Sequence, residues 1–155
     1  GHALAIGYLT TDPQRLGVNI ETAHTILAGL DPSDEMGFSL AYNKLFTVHL
    51  NDQNGLKFDE DKTFGSVDLR RAFNQVRILD KYDYGKSGEF VGLDVKAMRT
   101  QKQDVATRHL SNSRTIFLRL VELVRSLDND KVEKLVDERD YEELDMLIIN
   151  HLMGQ

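Results

Sequence analysis

Apolar residues along this 155-residue chain switch between two spacings, one suited to strands and one to helices. Leu16-Gly-Val-Asn-Ile-Glu21, Leu45-Phe-Thr-Val-His-Leu50 and Glu89-Phe-Val-Gly-Leu-Asp-Val95 each read as a short buried strand, rich in β-branched and aromatic residues. The stretches between them carry helical stripes. Residues 1–9 read as the end of a helix with no start signal, so the chain is expected to open mid-element and to be a fragment. Thr10 to Arg15 reads as a loop broken by Pro13. Asp31-Pro32-Ser33-Asp34 is a helix start: a cap candidate, proline at the first helical position and an acid in the first turn. That helix should run to about Asn43.

Leu69, Ala72, Phe73, Val76 and Leu79 predict a helix over about 67–80, with Ser66 as its cap. Val105, Ile116, Phe117, Leu120, Leu123, Val124 and Leu127 predict a long one over about 102–127. Two acidic amphipathic helices follow, over about 130–137 and 139–153. Their apolar residues, such as Leu144, Leu147, Ile148 and Leu152, suit packing better than a membrane face. The order α-β-α-β-α-β-α with a helical tail predicts an α/β fold of parallel β-α units, with residues 1–127 in the sheet-bearing part and 128–155 in the tail.

Composition narrows the chemistry. At 41% hydrophobic and 28% charged, the chain has the make-up of a soluble globular protein with one core. No apolar run has bilayer length and no signal peptide is visible, so a cytoplasmic location and no membrane partner are expected. Without cysteine, a metal would sit among oxygen and imidazole donors, which suits Mg, Mn or Co. A net charge of −6 disfavours a nucleic-acid partner.

Each predicted strand ends in potential ligands: Glu21 and His24 on the first, His49 on the second with Asp59 and Asp61 in its loop, Asp94 on the third. In parallel β-α units those ends share one face, and carboxylates gathered there repel one another unless a cation joins them. Singly, each residue has a plainer explanation. Glu21 and Asp94 could cap helices or form ion pairs, His49 could be a hydrogen-bonded core residue, and His24 could cap a loop. Asp59-Glu60-Asp61 alone is usually a solvated turn. Only the joint arrangement favours a two-cation site. His2, His109 and His151 show no partner pattern and are read as structural.

The stretches GHALAIGYL, GVNIETAHTILAGL, LFTVHLNDQNGLKFDEDKTFGSVDLRRAF and EFVGLDVKAMRT resemble the C-terminal part of the xylose isomerase family, over about residues 1–125. The motifs are Glu21-x-x-His24, Asn51-Asp52-Gln53 with Asp59-x-Asp61, and Asp94-x-Lys96. The resemblance implies strands six to eight of a (β/α)8 barrel and a C-terminal helical arm that embraces a neighbouring subunit. It implies an aldose–ketose isomerase using two divalent cations (Mn, Co or Mg) in a hydride shift between C1 and C2. Carried over, Glu21 would bridge both cations, His24, Asp59 and Asp61 would hold the catalytic one, and Asp94 the substrate-chelating one. Asp59, Asp61 and Lys96 would serve catalysis, although Lys96 also reads as a surface lysine. His49 stands where the family usually has aspartate, and the rhamnose isomerase branch resembles the chain more closely there.

The resemblance also puts a further metal-binding glutamate, a catalytic lysine and a ring-opening histidine–aspartate pair on earlier strands, outside this chain. The expected partners are a sugar and either the missing barrel half or further copies of the chain in a homo-oligomer. Alone, the chain is expected to be inactive. Two other functions remain open: a non-catalytic metal- or sugar-binding association module, and a metal-dependent endonuclease on the same barrel architecture, which the charge and the Asn-Asp-Gln loop disfavour.

Overall fold

The computed structural model describes residues 1–105 and 107–155. Helix α1 (His2–Tyr8) leads through a single 3-10 turn at Pro13–Arg15 into strand β1 (Val18–Glu21). Helices α2 (Thr22–Leu27) and α3 (Pro32–Ala41) precede β2 (Leu45–Leu50). Helix α4 (Leu69–Lys81) leads to β3 (Phe90–Leu93), and α5 (Arg108–Ser126), α6 (Asn129–Glu138) and α7 (Tyr141–Leu152) complete the chain. The sheet is β1-β2-β3 with both pairings parallel, as the strand–helix alternation predicts. The fold is therefore α/β, a small parallel sheet with many helices, compatible with part of a (β/α)8 barrel.

Local chemistry sets the boundaries. The Asp31 carboxylate accepts the Ser33 N–H at 2.8 Å, and Pro32 opens α3 as its signal predicts. The predicted cap of α4 is corrected: Asp68, not Ser66, accepts the Arg71 N–H at 2.8 Å, and the helix starts at Leu69. An aspartate two residues further on outcompetes the serine because it can reach the N3 amide. The long helix begins at Arg108 rather than about residue 102, and Val105 lies in a 3-10 turn, Gln103–Val105. Position 106 of that predicted helix lies outside the described residues. The third strand ends at Leu93, so Asp94 stands just past it. His24, expected at the end of the first strand, lies on the short helix α2 that follows it.

The core lies between the sheet and the helices that cover it. Val48 and Leu50 from β2 meet Phe73 and Val76 from α4 and Leu120 from α5, all at most 1% exposed. Burying a side chain such as Phe73 contributes about 1.5–3 kcal/mol. The tail joins this cluster: Leu127, Val132 and Ile148 are buried in it, and His151 Nε2 lies 2.7 Å from the Leu123 carbonyl oxygen. The opposite side of the sheet is open. Phe46 and Phe90 are 43% and 63% exposed, and among the described residues β1 and β3 each pair along one edge only. No described helix is long and apolar enough to cross a membrane.

Candidate metal centre

Strand register sets the first part of the site. Glu21 pairs with His49, and His49 with Gly92, so the three lie side by side across the sheet. Asp94, two residues beyond Gly92, follows on the same side. A Cβ at Gly92 would touch the His49 ring at 3.4 Å and the Phe90 ring at 3.3 Å, so the imidazole lies directly over β3. His49 Nδ1 is 3.2 Å from Asp94 Oδ2.

The second part comes from α2 and the loop after β2. His24, one turn past Glu21, has Nε2 3.4 Å from Glu21 Oε1 and 3.6 Å from Asp59 Oδ2. The loop is shaped by three consecutive buried polar residues, Asn51, Asp52 and Gln53. Asp52 exchanges backbone hydrogen bonds with Lys62 at 2.9 Å, closing the loop at its base. Its carboxylate accepts N–H groups of Gln53, Val67 and Asp68. Burial pushes the Asp52 carboxyl above its ordinary value, although those three donors pull the other way. The Gln53 side chain donates to the carbonyls of Gly55 and Phe58 and accepts the Glu60 N–H. Asp61 sits with φ of +44°, a left-handed conformation that aspartate tolerates better than most side chains.

Two donor triads result, each with its ligand atoms within 4.8 Å of one another: Glu21, His49 and Asp94, and Glu21, His24 and Asp59. Glu21 belongs to both. Burial, followed by the nearby charges of Asp94 and Asp61, raises its pKa, while His24 and Asn51 lower it. Of the six ligands expected from the sequence, five fall in these triads. The sixth, Asp61, is engaged otherwise: its carboxylate accepts from Asn51 Nδ2 at 2.9 Å and lies 2.7 Å from Lys96 Nζ. Lys96 also donates to the Asp59 carbonyl at 2.8 Å, and its hydrogen bond with Asp61 holds its pKa up.

The donor set fits a divalent cation. It holds carboxylate and imidazole groups only, and its shared member, Glu21, is buried enough for its charged form to be disfavoured. Asp59 Oδ1 is shielded from solvent yet has no hydrogen-bond partner among the described residues, an acceptor suited to a cation. A cavity of about 490 Å³, lined in part by Phe58, Asp59, Lys96, Met98 and Arg99, opens beside it.

Sequence reasoning overlooked Asn51, Asp52, Gln53 and Gly92 as individual contributors. A run of three polar residues directly after a buried strand was the available signal for the first three.

Fold and site together define an α/β protein with an acid–imidazole cluster at the carboxyl ends of parallel strands. No protein-family model matches the chain. Curated relatives do. It is 30% identical over 192 aligned positions to the xylose isomerase of Streptomyces lividans, covering 99% of this chain and 48% of that protein. It is 36% identical over 104 residues to the xylose isomerase of Thermus thermophilus, covering 67% of this chain and 26% of that protein. Homology to the xylose isomerase family is thus shown, at modest identity, in agreement with the motifs. The chain spans about half the length, or less, of these relatives.

Proposed function

We propose that the chain supplies metal-binding strands of an aldose–ketose sugar isomerase, residues 1–127 being the C-terminal portion of a (β/α)8 barrel and residues 128–155 a helical arm. The observation that carries this reading is the sharing of Glu21 between two donor triads, in a chain whose curated relatives are named xylose isomerases. Divalent cations at such a site (Mn, Co or Mg) would polarise neighbouring sugar oxygens for an intramolecular hydride shift between C1 and C2.

The residues themselves position and balance charge. Glu21 joins the two triads, with His49 and Asp94 on one side and His24 and Asp59 on the other. Lys96 ties the Asp59 carbonyl to the Asp61 carboxylate and so holds the loop against the sheet. The cavity beside Asp59 falls in the size range of small-molecule sites and would admit a monosaccharide. A barrel needs eight strands, and three are described here. Activity is therefore assigned to a completed barrel, formed with further chain or further copies in a homo-oligomer.

The test is an aldose screen on the barrel-complete protein with Mn, Co or Mg. Ketose formation that stops on chelation supports the proposal. Tight metal binding without turnover of any aldose would favour the second reading, a non-catalytic metal- or sugar-binding module. The outer edges of β1 and β3, unpaired among the described residues, suit such an association role.

A further inference from the structure

We propose that Asn51 is the positioning residue of this centre, a single buried carboxamide that sets the spacing of the two donor triads. The proposal rests on the metal-binding reading above and extends it to a residue outside both donor triads. Asn51 is wholly buried and lies two residues past His49, on the same side of the chain. Its Oδ1 accepts the Ala23 N–H at 2.6 Å, fixing the first turn of α2 just beyond Glu21. Its Nδ2 donates to Asp61 Oδ1 at 2.9 Å and to the Asp94 carbonyl at 3.0 Å. One side chain thereby ties the ends of β1 and β3 and the Asp59–Asp61 loop to the end of β2.

A third acceptor, Glu21 Oε1, lies 3.4 Å from the same nitrogen. A primary amide has two hydrogens to give, and the two shorter bonds take them. The backbone on either side of the centre is thus held firmly, while the shared carboxylate is held weakest and stays free to turn toward a cation. Other side chains of similar size cannot do this. Aspartate has no donor when ionised and would set another negative charge against Asp61 and the Asp94 carbonyl. Leucine would strand the Ala23 N–H in the interior.

The test is a cobalt(II) titration of wild-type and Asn51→Asp protein, followed by visible absorption, with circular dichroism as the check on folding. The expected result is affinity weakened by about 10–100-fold, as for partners that orient metal ligands, and an altered cobalt spectrum in a folded variant. A folded Asn51→Asp with wild-type affinity and spectrum overturns this proposal and leaves the metal reading intact. Wild-type protein that binds no cobalt overturns both. If the variant does not fold, the wild type decides by nuclear magnetic resonance. The Asn51 side-chain amide signals should exchange slowly without metal and shift when zinc(II) is added, and fast-exchanging, unshifted signals overturn the proposal.

Discussion

The two ends of the chain's buried interior follow opposite rules. Between sheet and helices, Phe73, Leu120, Val124 and Ile148 are covered by other apolar groups, and no carboxylate is buried among the described residues of that cluster. At the carboxyl ends of the strands the buried residues are Asn51, Asp52, Gln53 and Asp61, beside a Glu21 pressed by like charges. The first region gains free energy from every group removed from water. The second is held in shape by hydrogen bonds whose loss costs more than their presence contributes. The apolar side thus stabilises a site which, without cations, opposes its own assembly.

The largest effect should come from the apolar side. Phe73→Ala should cost about 3–5 kcal/mol, read as a lower urea midpoint. A loss under about 1 kcal/mol would mean that the tail and α4 do not pack as described. Next is Asp52→Asn, which removes one carboxylate oxygen from the three N–H groups it accepts, of Gln53, Val67 and Asp68. It should cost about 1–3 kcal/mol, and protection of the Val67 and Asp68 amides from hydrogen exchange should fall.

The sign of the pH dependence follows from the direction of the Asp52 shift. Its folded pKa lies above its ordinary value of 3.8, so protonation favours the fold. That contribution is full below the ordinary value and fades as pH rises through the raised one. Asp52→Asn should remove this part of the acid profile, measured by melts across the acidic range.

Glu21→Gln should act in the opposite direction. Removing the shared carboxylate ends the cost of burying its charge, together with the repulsion from Asp94 and Asp61, and should raise cation-free stability at neutral pH by about 1 kcal/mol, the scale of two like charges 4 Å apart in water. Because the folded pKa of Glu21 is raised above 4.5, the gain should disappear at pH well below that value. A loss of stability at neutral pH would contradict the view that this end is strained by its own charge. The smallest effect is expected from Arg70→Ala, which breaks the half-exposed pair with Asp145 on α7. It should change stability by less than about 1 kcal/mol, since Ile148 and its apolar neighbours hold the tail.

The same contrast explains what the sequence disclosed. The apolar side was legible: the helix through Ala72, Phe73, Val76 and Leu79 and the strand with Leu45, Val48 and Leu50 fall where periodicity puts them, because the burial of those residues determines them. The Asp31 start signal was legible because a cap is a local device. The cap of α4 was misplaced because Ser66 and Asp68 both qualify by type, and only the path of the loop selects between them. At the site, residue types revealed which side chains carry negative charge or imidazole. They did not reveal that Asn51 would bind Ala23, Asp61 and Asp94, in three segments, because those contacts join residues up to 43 positions apart. Nor did spacing disclose that Lys96 and Asn51 would take up Asp61 while Asp59 kept an oxygen with no hydrogen-bond partner among the described residues.

The central claim is that one carboxylate, Glu21, joins two cation positions. Equilibrium dialysis against manganese(II), with metal analysis of wild-type and Glu21→Gln protein, tests it most directly. The wild-type chain should take up two cations, and both sites should weaken in the variant. Two independent sites of which Glu21→Gln disturbs at most one, or a wild-type chain that takes up no manganese, would contradict it.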